Sequence, residues 1–211
     1  MGLKIDLHVH TCYSSDSSIT LKQVVAYAKK RGLDGVAITD HNTVKGALKL
    51  KTLDILVIPG IEVSTLNGHL LGINVTEPIP ARRGIEETIR MIHEAGGVAV
   101  APHPTTFYKS PPSRQVSSYD AIEVMNGASI PFPVFTHFSK KFAEDLGLPQ
   151  TGGSDAHYAP EIGAAYTMVE ADPDVDEIVC AIKKGDVAPM GKGIPLRVWF
   201  GRTLLRLKRK L

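Results

Sequence analysis

The strongest constraint on this chain is an alternation of short apolar runs with stretches of helical spacing. Leu3 to Val9, Gly35 to Thr39, Ile55 to Ile58, Leu70 to Val75, Val98 to Ala101, Ala121 to Met125 and Ala165 to Val169 read as strands. Between them, Leu21 to Lys30, Val44 to Leu50, Ile85 to Ala95, Val134 to Leu146 and Val175 to Lys184 carry apolar residues at helical spacing. Thr20 is a natural N-cap for the first of these helices. Gly96-Gly97 is a natural stop for the one that begins at Ile85. Strands that alternate with helices imply parallel strands covered by helices, which a closed barrel and an open doubly wound sheet both satisfy.

At 211 residues the chain fills one domain with a full core. No apolar run approaches the roughly 18 residues that span a bilayer. The first ten residues lack the long apolar core of a signal peptide, so a cytoplasmic location is expected. Cys12 and Cys180 match no paired-cysteine metal spacing and read as free thiols. The net charge of +2 hides an asymmetry: seven basic residues and no acidic ones lie between Lys192 and Leu211. The remainder carries 17 basic and 22 acidic side chains, a net of −5. The division expected is therefore a barrel over residues 1–190 and a basic amphipathic tail over 191–211.

The acids have histidine company. Ile5-Asp6-Leu7 leads into His8-Val9-His10, Ile38-Thr39 into Asp40-His41, and Pro59-Gly60 into Ile61-Glu62. His69 opens a strand after Asn67-Gly68, His103 follows Val98 to Ala101, and Gly152-Gly153-Ser154 precedes Asp155-Ala156-His157. Six of the eight histidines fall in these places, mostly at strand C-terminal ends, where α/β folds build their sites. Residues i and i+2 of a strand share a side, so His8 and His10 can face one cation. Imidazole with carboxylate and no thiolate suits zinc, manganese or iron, and so many ligands point to two or more metals sharing a carboxylate. Asp40 is expected to orient His41, while Asp6 either points away or supports a histidine. His93 and His137 read as surface or packing residues. Glu123 and Asn126 end a strand on the functional face, and Thr105 to Ser118 is a candidate lid or substrate loop.

Asp6-Leu7-His8-Val9-His10-Thr11, Ser15-Asp16, Ile38-Thr39-Asp40-His41-Asn42, Pro59-Gly60-Ile61-Glu62-Val63-Ser64 and Gly153-Ser154-Asp155-Ala156-His157 together resemble the PHP (polymerase and histidinol phosphatase) family. The match runs over nearly all of residues 1–170. The resemblance implies a distorted (β/α)7 barrel holding two or three divalent ions, manganese, zinc or iron. It also implies a ligand set. His8, His10, Glu62 and Asp155 hold a first metal; Glu62, His69 and His103 a second; Asp16, His41 and His157 a third. Asp16, His41, His103 and His157 are in addition the expected catalytic residues. The inserted subdomain that some members carry between the middle strands is missing.

The expected activity is hydrolysis of a phosphate ester by a metal-activated hydroxide, on a small phosphorylated metabolite, a nucleotide or an oligonucleotide end. Arg82, Arg83 and Arg114 are the candidate cationic helpers. Two other classes stay open: a metal-binding accessory or regulatory module on the same barrel, and an amidohydrolase-type C–N hydrolase. The tail, where Trp199, Phe200, Leu204, Leu205 and Leu207 interleave with basic residues, either packs on the barrel or contacts nucleic acid or an anionic membrane surface.

Overall fold

The computed structural model describes residues 2–112 and 118–209, the last four by backbone alone. The strands are β1 Leu3–Val9, β2 Gly35–Ile38, β3 Leu56–Thr65, β4 Gly68–Ile73, β5 Val98–Ala101, β6 Ala121–Asn126, β7 Gln150–Gly153, β8 Ala165–Val169 and β9 Val187–Gly191. The helices are α1 Leu21–Arg31, α2 Lys45–Lys49, α3 Ile85–Glu94, α4 Phe132–Leu146, α5 Val175–Lys184 and α6 Leu196–Arg209. Local chemistry sets several of the ends. Thr20 and Gln23 form a capping box at α1, which stops at Gly32 in the left-handed region. The Asp174 carboxylate accepts from the N–H groups of Asp176 and Glu177 to start α5.

The strands form one sheet in the order β7-β6-β5-β4-β3-β2-β1-β8-β9. The two ends curl together into a nearly closed, barrel-like sheet, the α/β barrel expected, though its nine described strands are of mixed direction. Four pairings are parallel, but β3–β4, β4–β5, β1–β8 and β8–β9 are antiparallel. The reason for the first is local. Thr65 pairs with Gly68, leaving Leu66 and Asn67 as a two-residue turn. So short a link makes a hairpin, because a parallel return needs a crossover of a dozen residues or more.

Closure depends on β7, which offers almost no apolar signal. The Gly152 carbonyl accepts from Thr167 Oγ1 at 2.8 Å, Asp155 N–H donates to the His8 carbonyl at 2.8 Å, and His10 N–H donates to the Ala156 carbonyl at 3.0 Å. Glycine permits the approach: a Cβ on Gly153 would lie 2.5 Å from His8 Cβ and 2.8 Å from Glu123 Oε1. Gly153→Ala is therefore expected to destabilise the fold by about 1–3 kcal/mol, the usual cost of overpacking. It should also displace His8. Denaturant unfolding checks this, and an unchanged midpoint would show that β7 yields freely.

The core explains which way the ligands point. Ile5 and Leu7 of β1 pack with Ile178 and Ile182 of α5, at the end of the barrel opposite the strands' C-terminal ends. Val9 instead packs with Val24 and Ala28 of α1. The two-residue alternation therefore breaks between Leu7 and Val9. The register slips at that point, with Asp6 opposite Val36 and Val9 opposite Ile38, three residues against two. Such a bulge turns a side chain to the other face. A second slip lies between Glu123 and Met125 of β6. Val198 and Trp199 of α6 lie on Ala128, Ala164 and Ile194. Among the described residues, no helix is long and apolar enough to cross a membrane.

Candidate metal centre

The site forms where β1, β2, β3, β4, β5 and β7 deliver polar residues to one mouth of the barrel. His8 and His10 leave β1 there, and His41 bridges to Glu62 in the middle of β3. His69 comes from β4, opposite Ser64. His103 and Asp155 follow β5 and β7 with φ of 34° and 52°, left-handed conformations that non-glycine residues adopt only when their surroundings hold them. The holding bonds are visible. The N–H of His103 donates to Glu123 Oε2 at 2.9 Å, and that of Asp155 to the His8 carbonyl.

All nine expected ligands converge, and Glu62 is their hub. Its Oε2 lies 3.1 Å from His10 Nε2, 3.5 Å from His8 Nε2 and 3.1 Å from His41 Nδ1. Its Oε1 lies 2.9 Å from His69 Nδ1 and 3.4 Å from His103 Nε2. Each carboxylate oxygen thus serves a separate group of imidazoles. Asp155 Oδ1 sits 3.6 Å from His8 Nε2 and 3.4 Å from His10 Nε2. Asp16 Oδ2 lies 3.0 Å from His157 Nε2 and 3.6 Å from His41 Nε2. Three triads have ligand atoms mutually within 4.8 Å: His8–His10–Asp155, His41–Glu62–His69 and His10–His41–His157. The first falls within one expected set. The other two draw His41 and His10 across the expected boundaries, so neighbouring sets share walls.

The donor atoms suit cations better than each other. His8 Nδ1 donates to Glu123 Oε1 at 2.9 Å and His10 Nδ1 to Ser14 Oγ at 3.2 Å. Assigned from those bonds, both protons sit on Nδ1. With both rings neutral, as metal binding requires, two bare Nε2 atoms face each other at 3.1 Å. His41 Nδ1 is within 3.1 Å of Glu62 Oε2, yet its geometry is too poor for a hydrogen bond and the buried atom has no partner; His103 Nδ1 has none either. Lone pairs converging on shared space are what a divalent ion needs.

The electrostatics agree. Burial opposes ionisation of Glu62, but His8, His10, His103 and His69 hold it well below the usual carboxylate range. Burial likewise opposes the charge on Asp155, and Lys109 with His8 overrides it. Burial would neutralise His8, yet Glu123, Asp155 and Glu62 lift it well above an ordinary histidine. The cluster thus gathers positive charge around fixed anions, a role that bound cations can take over.

A supporting layer fixes these ligands. Glu123 Oε2 also accepts from Asn126 Nδ2, which reaches Asp155 Oδ2 as well. Asp40 accepts from Thr11 N–H, Thr11 Oγ1 and Ser14 Oγ, and Ser14 in turn takes the His41 N–H. Asp40 therefore braces His10 and His41 together through Ser14, not the His41 ring alone. Asp6 points away from the metals, accepting from the N–H groups of His8, Ser154 and Gly163. Its burial, with no cation alongside, pushes its pKa up to about 6. His93 pairs with Asp120 at the surface and His137 is exposed, as their sequence context suggested. Glu123→Gln is expected to weaken metal binding by about 10–100-fold, the usual cost of losing a ligand's brace. Competition with a metallochromic chelator measures it, and unchanged affinity would assign Glu123 to packing alone.

Sequence reading missed the cations. Arg82 and Arg83 are exposed and are not among the residues that line the cleft, Arg83 pairing with Glu87, while Arg114 lies outside the described residues. Among the described residues, the lysine and arginine side chains that line it are Lys109, which donates to Asp155 Oδ2, and Arg202 of α6. Lys109 does lie in the Thr105 to Ser118 segment whose irregularity marked it as a substrate loop. Arg202 carried no local signal. The cleft encloses about 520 Å³ and also meets Tyr108, Ile130 and Trp199.

A family profile described as PHP domain matches residues 6–139, and one described as PHP-associated matches 137–187. Uncharacterized protein MJ1587 of Methanocaldococcus jannaschii is 40% identical over 116 residues, 48% of this chain and 68% of that protein. Phosphoribosyl 1,2-cyclic phosphate 1,2-diphosphodiesterase of Eggerthella lenta is 38% identical over 86 residues, 36% of this chain and 32% of its own length. Among solved structures, a two-domain protein of Bacteroides vulgatus containing a predicted PHP-like metal-dependent phosphoesterase shares the fold with a TM-score of 0.73 at 21% identity. That alignment covers 91% of this chain and 65% of the other.

Proposed function

This chain belongs to the PHP family, and on that premise we propose that it is a metal-dependent phosphoesterase. The observation that carries the reading is the split use of Glu62, whose two oxygens face different histidine groups at the floor of one cleft. In this reading His8, His10, Glu62 and Asp155 hold one ion, Glu62, His69 and His103 a second, and Asp16, His41 and His157 a third. Bound manganese, zinc or iron would neutralise the phosphoryl group and activate water for attack. The chain's own residues do the rest. Glu123 and Ser14 hold the Nδ1 protons of His8 and His10, keeping Nε2 of each aimed into the cleft. Lys109 neutralises Asp155 and offers N–H donors to a phosphoryl oxygen. His41 and Asp16, partly exposed at the mouth, would hold the third ion, whose charge would stabilise the departing alkoxide.

The substrate class is a small phosphorylated metabolite, a nucleotide or an oligonucleotide end. A cytoplasmic setting belongs to the same reading, with Cys12 and Cys180 free as support. So does the division into a catalytic barrel over 1–190 and a tail over 191–211. Hydrolysis of a chromogenic phosphomonoester and a phosphodiester, with manganese, with zinc and after chelation, tests the activity. Chelator-sensitive release from either ester is the expected result. Turnover of an amide with no action on any phosphate ester would overturn it in favour of C–N hydrolysis, and binding of metal with no turnover in favour of a non-catalytic module.

A further inference from the structure

The tail does not stand apart from the cleft. Trp199 and Arg202, three residues apart and so on one side of α6, both line it beside the metal ligands Asp16 and His157. Arg202 is oddly used for an arginine in such a place. Its Nη1 sits 3.3 Å from Glu161 Oε1 and 3.5 Å from Oε2, long for a charged pair. Glu161 is fully buried, and its Oε2 is already committed to the N–H groups of His157 and Tyr158 at 2.9 and 3.1 Å. Oε1 has no well-formed hydrogen bond at all. A guanidinium carries five N–H donors in a planar fork matched to carboxylate and phosphate. Among the described residues, only Nη1 of Arg202 is engaged. The remaining donors belong to a side chain that lines a cleft built for anions, and Glu161 keeps the group in place without spending them.

We propose that Arg202 is a specificity-determining residue of this cleft, binding a second negatively charged group of the substrate while the metal centre and Lys109 take the phosphate. The inference rests on the phosphoesterase reading for what occupies the metals. Among phosphate esters it selects those with a carboxylate or a further phosphate near the scissile group over those with a neutral tail.

The test uses binding, so that it does not depend on turnover. The manganese-loaded full chain is titrated calorimetrically with propylphosphonate and with its carboxylated analogue, 3-phosphonopropionate. The wild type is expected to favour the carboxylated ligand by about 10-fold or more, the yield of one charge-assisted hydrogen bond. Arg202→Met should bring the two affinities together, and Arg202→Lys should retain part of the preference. A preference that survives Arg202→Met overturns the proposal, as does a wild type with no preference. Equal weakening of both ligands also overturns it, because it would mean that Arg202 only steadies Glu161 and the His157 segment. Neither ligand has an ester bond. Failure of every ester to be hydrolysed would therefore remove the phosphoesterase reading, while the ratio of affinities would still decide the role of Arg202.

Discussion

Replacing Glu62 with glutamine is expected to strip the cleft of at least one ion and to lower turnover by on the order of 10³-fold, the loss of several kcal/mol of charge stabilisation. The substitution keeps the shape and removes the charge. Glutamine offers one oxygen where glutamate offers two, so it cannot serve His10 and His8 from one side and His69 and His103 from the other. Its NH₂ group would also point a donor at imidazoles that need an acceptor or a cation. The wild type should gain thermal stability on addition of manganese, because an ion that binds only the folded state stabilises it by mass action. Glu62→Gln should lose most of that gain while still folding without metal. Metal content after desalting, the melting shift and kcat/KM together check this. A full metal complement with wild-type turnover would show that Glu62 is not the shared ligand.

The second large effect is expected at the mouth. Asp16→Ala and His157→Ala should each reduce kcat by about 10²–10⁴-fold and leave the fold intact. Asp16 sits in the turn after β1 with its side chain 41% exposed, so nothing in the core depends on it. Burial alone would raise its pKa. The hydrogen bonds from His157 and His41 instead hold the carboxyl well below its ordinary range. It is therefore ionised at any working pH, ready to complete a cation's shell with those two histidines. Wild-type activity in both variants would sink the third metal position. Loss in the Asp16 variant with two ions still bound would separate this position from the Glu62 floor.

Much of this centre was legible along the chain. Each of His8, His10, His41, Glu62, His103 and Asp155 lies in or just after an apolar run, and such runs end on one face in any right-handed α/β arrangement. Their grouping into three sets came from resemblance to a family, not from spacing, and the distances show His10 and His41 lying between sets. The strand that brings Asp155 and His157 into place was not legible. Gln150–Gly153 has two glycines in four residues, the opposite of a strand signature. Those glycines serve the tertiary contact with β1, where a side chain would collide with His8.

The sequence by itself determined the alternation of strands and helices, the chemistry of the ligands and their delivery to one end of the fold. These follow from short-range rules: apolar period, caps and the two-residue repeat of a strand. The tertiary structure alone decided the rest. It set the bulge that brings His8 and His10 to the face that Ile5 and Leu7 occupy earlier in β1, the antiparallel pairing of β8 with β1, and the closure of β7 on β1. It also chose Lys109 and Arg202 over Arg82 and Arg83 as the cations of the cleft. The physical reason is common to all four. Each depends on two segments distant in sequence meeting within a few ångströms, and neither segment carries a local preference strong enough to announce the other.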